Sequence, residues 1–139
     1  MKNEHPITVR VSIQAPIGKV WEYWNAPEHI TQWAFASDDW ECPAAENDLR
    51  EGGKGKTTMA AKDGSFSFDL VVTYTAVREP ELIEYDMENG RHVKIEFHQT
   101  DGGVEVVETF DPEQENSEER QREGWQAILD NFKKHVETA

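Results

Sequence analysis

Two periodicities divide the chain. From Ser117 to Glu137 the apolar residues Trp125, Ile128, Leu129, Phe132 and Val136 recur at spacings of three and four, which puts all five on one face of a helix. Asn116 is a candidate cap with Glu119 three residues on. Glu118 and Glu123 lie toward the positive end of the helix dipole, and Lys133, Lys134 and His135 toward the negative end. Stepping back from Trp125 along the same face meets Gln121, then Glu118 and Ser117. One half of the helix is therefore apolar and the other polar. Either the polar half lines a wetter space, such as a cavity mouth, or it projects beyond the sheet into water. Gly124 inside the helix suggests close backbone approach to the sheet.

Elsewhere the period is two. Ile7, Val9, Val11 and Ile13 alternate with polar residues, the pattern of a strand with one buried face. Pro16 opens a short helix carrying Ile17, Val20, Trp21 and Trp24, which ends at Asn25-Ala26-Pro27. Pro27 opens a second helix with Ile30 and Trp33 on one side. The stretch from Ala34 to Cys42 has no clear period and reads as an aromatic loop, folded onto the core or placed beside a ligand. Strands are expected at Ala44 to Arg50 and at Lys54 to Ala61, joined through Glu51-Gly52-Gly53. Asp63-Gly64 turns into a strand carrying Phe66, Phe68, Leu70, Val72 and Tyr74 on one face. Leu82 to Glu88 follows, then the Asn89-Gly90 turn and a strand with Val93, Ile95 and Phe97. After Asp101-Gly102-Gly103 the last strand places Val104, Val106, Glu108 and Phe110 on one face. Hairpin-length connections make the sheet antiparallel, so the class is α+β. The sheet must curve over the terminal helix, with Gly52, Gly53, Gly55 and Gly64 as places to bend.

At 139 residues the chain fits one domain, 1–139. With 14 basic against 28 acidic residues its net charge is -14, which repels nucleic acid and anionic membranes. The opening MKNEHPITVRVS has no signal-peptide run and no stretch reaches transmembrane length, so a soluble, cytoplasmic protein without membrane insertion is expected. The single cysteine, Cys42, agrees with a reducing compartment.

Gly55-Lys56-Thr57 looks like the end of a phosphate-binding loop. The motif needs glycine where Arg50 stands, and a helix where Thr57-Thr58-Met59 reads as strand, so no nucleotide site is expected. His92 and His98 share a strand face with Lys94 and Glu96, turned to solvent. His5, His29 and His135 lie far apart in the chain without carboxylates or thiols at ligand spacing, and Cys42 has no evident base; neither a metal nor a cofactor is expected. Glu108 stands out because its strand face is the inward one. It is either a polar contact in an apolar pocket, completed by Gln121 or Glu118, or the partner of a buried donor or a strand end already in water.

Val20-Trp21 in the first helix, Pro27-Glu28 opening the second, Trp33, Gly52-Gly53, Pro80-Glu81-Leu82-Ile83, and Gly124-Trp125 with Leu129 form an ordered set. In their order and spacing they resemble the Hsp90 ATPase activator homologue family of the START-like superfamily. The resemblance covers nearly the whole chain and implies a helix-grip fold, a curved antiparallel sheet around the long C-terminal helix with a cavity near the two short helices. It also implies a range of functions, from lipid and hormone carriers through polyketide cyclases to a co-chaperone domain acting on Hsp90.

These lines together give an expected site. A small hydrophobic molecule would lie between sheet and helix, with Trp24, Trp33, Phe35, Phe68, Tyr74 and Trp125 as apolar walls and Glu108 and Gln121 as polar contacts. The rival expectation is an interaction module for an Hsp90-type chaperone. A third, an enzyme of the cyclase or hydrolase sort, would need an ionisable pair such as Glu108 with Tyr74 or Glu118.

Overall fold

The computed structural model describes residues 6–138. Strand β1 (Ile7–Ile13) leads into α1 (Ile17–Asn25) and α2 (Pro27–Trp33). Six strands follow: β2 (Trp40–Asn47), β3 (Lys54–Ala61), β4 (Ser67–Arg78), β5 (Leu82–Met87), β6 (His92–Thr100) and β7 (Gly103–Phe110), and then α3 (Glu118–Thr138). The strands form one seven-stranded antiparallel sheet in the order β1-β7-β6-β5-β4-β3-β2. The fold is α+β, a curled sheet closing on the long terminal helix. Among the described residues no helix is long and apolar enough to cross a membrane.

Strand alternation sets the inner face. Val9 stands opposite Glu108, and Glu108 opposite Ile95, so β1, β7 and β6 present one continuous row. Ile7, Val9, Val93, Ile95, Val104, Val106 and Phe110 on this part of the face are at most 2 % exposed. They pack with Leu129, Phe132 and Val136 of α3, each fully buried. Pairing β1 with β7 joins the first and last strands beside Gly103, where a Cβ would sit 2.0 Å from the backbone oxygen of Ile13. Only glycine allows that approach, because neither backbone can retreat without unpairing the strands.

Several local expectations are corrected. The strand expected at Ala44 to Arg50 begins earlier, at Trp40, so the last third of the expected loop is strand. A register shift between Glu41 and Ala44 interrupts its alternation at Pro43, which hid the strand from a period-two reading. Asp48 to Gly53 make the turn, with Arg50 closing onto Asp48 and Gly52 at positive φ. Strand β4 starts after Phe66, whose ring is 58 % exposed, and runs on to Arg78 through a second register shift at Tyr74/Ala76. The sheet therefore bends at these irregularities as well as at glycines. At the start of α3 the Oγ of Ser117 accepts from the Arg120 amide, so Ser117 is the cap, while the Asn116 side chain donates to Glu113. A Cβ on Gly124 would meet nothing within 4 Å, so close approach does not explain that glycine.

Candidate functional site

Helix α3 lies along β1 and reaches β7 through Trp125 on Phe110, and α2 covers β2; between them the inner face of β3, β4 and β5 is left open. The result is a cavity of about 580 Å³. Its walls follow from strand parity. Gly55, Thr57 and Met59 of β3 pair with Val72, Leu70 and Phe68 of β4, and all six line the space. Val72 and Tyr74 in turn face Met87 and Tyr85 of β5, which also line it.

The helical side is aromatic. The rings of Trp24, Trp33 and Phe132 meet one another at centroid distances of 4.8 Å. The Trp33 Nε1 donates to the Tyr23 carbonyl at 3.0 Å, which fixes the indole while its apolar body meets the cavity. Trp125 stacks on Phe110 at 3.8 Å with the planes 9° apart, and closes the end nearest Glu108.

Three polar groups run along one wall. The Tyr74 hydroxyl donates to Asn47 Oδ1 at 2.5 Å, and Asn47 Nδ2 donates to the Asn25 carbonyl at 2.8 Å. Gly55 makes room for this chain, since a Cβ there would lie 3.0 Å from the Tyr74 hydroxyl and 3.2 Å from Asn47 Oδ1. Burial pushes the Tyr74 hydroxyl up to about 12, the hydrogen bond to Asn47 opposing it. Asn25 Nδ2 donates to the Trp21 carbonyl, while its Oδ1 is buried without a partner among the described residues.

Glu108 lies on the same cavity. It is 6 % exposed, and no hydrogen bond satisfies its carboxyl among the described residues. Burial alone raises it from 4.5 to about 8, so at neutral pH it is a carboxylic acid rather than a carboxylate. The Tyr85 hydroxyl is pushed well above 10, first by burial and then by the charges of Glu108 and Tyr74. Arg91 also reaches the cavity, but its Nε donates to the Asp111 carbonyl at 2.9 Å and Glu113 and Asp111 face its charge.

Of the residues expected from the sequence, Trp24, Trp33, Phe68, Tyr74, Glu108 and Trp125 line the cavity. Phe68 stands at its mouth, 42 % exposed. Phe35 and Gln121 do not line it. Phe35 packs half-buried against the core, its carbonyl held with that of Trp33 by Asn131. Gln121 is buried because it anchors the loop before α3, accepting from the Glu113 amide and donating to the Glu113 and Asn116 carbonyls. Glu118 is exposed and pairs with Arg122, so the polar half of α3 meets water and the preceding loop rather than the cavity. Sequence reasoning missed Tyr85, Asn25 and Asn47. Parity with Ile83 and Met87 would have found Tyr85, whereas nothing local marks either asparagine.

Two of the histidines meet in space, and His92 is turned outward as its strand parity predicts. His29 and His135, distant in the chain, are hydrogen-bonded at 3.0 Å with Tyr23 stacked on His29. Burial and the charges of His29 and Lys19 lower His135. His92 lies on the outer face between Asp86 and Glu84 at 2.6 and 2.8 Å. Burial opposes its charge, but those two carboxylates outweigh it and the group is raised. His5 lies outside the described residues.

Against known proteins, the family described as Activator of Hsp90 ATPase homolog 1-like protein matches over residues 14–137. The solution structure of an AHSA1-like protein from Aeromonas hydrophila is 42% identical, with 96% of this chain and 92% of that one covered and a TM-score of 0.90. A solution structure from Cytophaga hutchinsonii is 52% identical, covering 95% and 92%, with a TM-score of 0.83. A crystal structure from Chromobacterium violaceum shares the fold at 20% identity, covering 97% and 99%, with a TM-score of 0.86. Among curated proteins none matches.

Proposed function

We propose a function on one premise, that the chain belongs to the Activator of Hsp90 ATPase homolog 1-like family: it holds a small, largely apolar molecule in the cavity between sheet and α3. The observation that carries this reading is the cavity itself, about 580 Å³ walled by Trp24, Trp33, Trp125 and Phe68, with Glu108 unpartnered at its inner end. A concave apolar space with a few placed polar groups is the usual form of a small-ligand site. The same reading puts the protein in the cytoplasm as one domain, where a lone cysteine stays reduced.

Native mass spectrometry of freshly purified protein tests it, with a denatured control. The expected result is an added mass lost on denaturation. Glu108→Leu should weaken retention of that mass while the fold persists. An apo mass together with failure to take up any apolar probe would sink the carrier reading.

A second reading draws on the family description and on the exposed rings of Phe66 and Phe68 beside Trp40. In it the working part is surface, meeting an Hsp90-type chaperone. A pull-down with the host's Hsp90, followed by its ATPase rate with Phe66→Ser protein, whose changed residue does not line the cavity, separates this reading from the first. That exposed change should lower stimulation if the surface acts.

A further inference from the structure

The inner end of the cavity constrains the chemistry of the ligand, an inference that rests on the carrier reading above. Two groups there have no hydrogen-bond partner among the described residues, the Glu108 carboxyl and the Tyr85 hydroxyl. Both line the cavity, and the register puts them in neighbouring rows of the inner face: Ile83, Ile95 and Glu108 form one row, and Tyr85, Val93 and Phe110 the next. The polar groups around them are engaged. Tyr74 donates to Asn47, Asn47 to Asn25, and Arg91 to the Asp111 carbonyl. Both groups open on the cavity, so a ligand there can supply the partner each lacks.

What meets them is limited by their count. A neutral carboxyl offers one O–H and a phenol another, and a carbonyl oxygen has two lone pairs to accept both. An ammonium group fits less well. It would need Glu108 to ionise against its burial. A carboxylate ligand fits least, because Arg91, the one cation lining the cavity among the described residues, already faces Glu113 and Asp111. We propose that the cavity selects neutral, largely apolar ligands bearing a carbonyl oxygen, which accepts one hydrogen bond from the Glu108 carboxyl and a second from the Tyr85 hydroxyl.

The neighbouring elements leave Glu108 as the group that titrates. Its partners across the sheet are Val9 on β1 and Ile95 on β6, and α3 turns Trp125 and Ile128 to the cavity. The other ionisable groups lining the cavity are Tyr85 and Tyr74 on the strands, Arg91 at the β5–β6 turn, Glu113 before α3, and the carboxylates Glu46, Asp69 and Glu88. Both phenols are raised and stay protonated through the working range. Glu108 donates only while protonated, so carbonyl binding is intact below about 8 and is lost as pH rises through that value.

Dibenzyl ketone tests this, with the matching dibenzyl amine-bearing analogue and the parent diphenylpropane as comparators, titrated by tryptophan fluorescence between pH 6 and 10. The expected result is that the ketone binds tightest and weakens by about tenfold per pH unit above the Glu108 transition, while the hydrocarbon does not respond to pH. Glu108→Gln keeps an N–H donor and should keep ketone binding while losing the pH response. Tyr85→Phe should weaken the ketone several-fold and spare the hydrocarbon. Equal affinity for ketone and hydrocarbon, or ketone binding indifferent to Glu108→Gln in its pH profile, overturns the carbonyl inference and leaves the apolar carrier standing. Preference for the amine overturns it in favour of an ion pair. Failure of all three probes to bind overturns both readings.

Discussion

The sheet has two halves on one inner face. On β1, β7 and β6 the inward residues meet α3 and are nearly all excluded from water, as at Val106 and Phe110 beside Leu129 and Phe132. On β3 and β4 the same alternation produces inward residues that are only half-buried, such as Thr57, Met59 and Leu70, and they face the cavity. Local pattern is alike in both halves. What differs is the cover: the apolar stripe of α3 is long enough for one half, and α2 with Trp33 reaches only the far edge at β2. A curled sheet wider than its helix leaves a space, and the aromatic side chains of α1, α2 and α3 wall it.

The sharpest contrast comes from truncating one side chain in each half. Phe132→Ala removes a fully buried ring that touches Trp24 and Trp33, and should cost about 3–5 kcal/mol in chemical denaturation. Leu70→Ala trims a half-buried wall of an existing cavity and should cost roughly 1 kcal/mol. Equal losses would mean that the second half is filled like the first.

Next in size is the boundary between halves, at Glu108. Its carboxyl is raised from 4.5 to about 8 by burial, so between those values the folded chain holds a proton that the unfolded chain has released. Stability is therefore full below about 4.5, falls as pH rises, and levels off above about 8. The slope is about 1.4 kcal/mol per pH unit, and the loss at pH 7 is on the order of 3 kcal/mol. Denaturant melts of Glu108→Gln should lack this slope. A wild-type profile flat from pH 5 to 8 would show that Glu108 is hydrated in the folded protein.

Tyr74→Phe probes the open half more gently. Losing its hydrogen bond leaves Asn47 Oδ1 short of a donor and should cost about 1 kcal/mol, with Asn47→Ala costing no more in the Tyr74→Phe background than alone. The smallest expected effect lies in the covered half, at the His29–His135 contact. His135 is lowered in the folded state, so stability held above its ordinary 6.5 is lost as pH falls through the lower folded value. His29→Gln should shrink that acid-side loss, and an unchanged profile would assign it to other groups.

Much of the fold was legible because its signals are local. Pro27, the Asn89-Gly90 turn and the three-four spacing of Trp125 to Val136 each depend on a few neighbouring residues, and each element stands where the pattern put it. Strand β2 was half missed because the register shift beside Pro43 breaks the period that reveals strands. At the site, parity was enough to turn Phe68, Tyr74 and Glu108 inward. Gln121 misled for a physical reason: an inward polar residue on α3 can be satisfied by a loop as well as by a cavity, and the spacing of side chains along a helix does not say which.

By itself, then, the sequence determined the order of elements, the antiparallel hairpins, the face each strand buries and the family to which the chain belongs. Tertiary structure alone decided that β1 closes against β7, that His29 meets His135, and that Tyr85 and Glu108 come to line one cavity. These contacts join residues far apart in the chain, and they arise from how a curved sheet meets a helix too narrow to fill it. Periodicity fixes which way a side chain points; the distance to whatever lies opposite is set by packing of the whole.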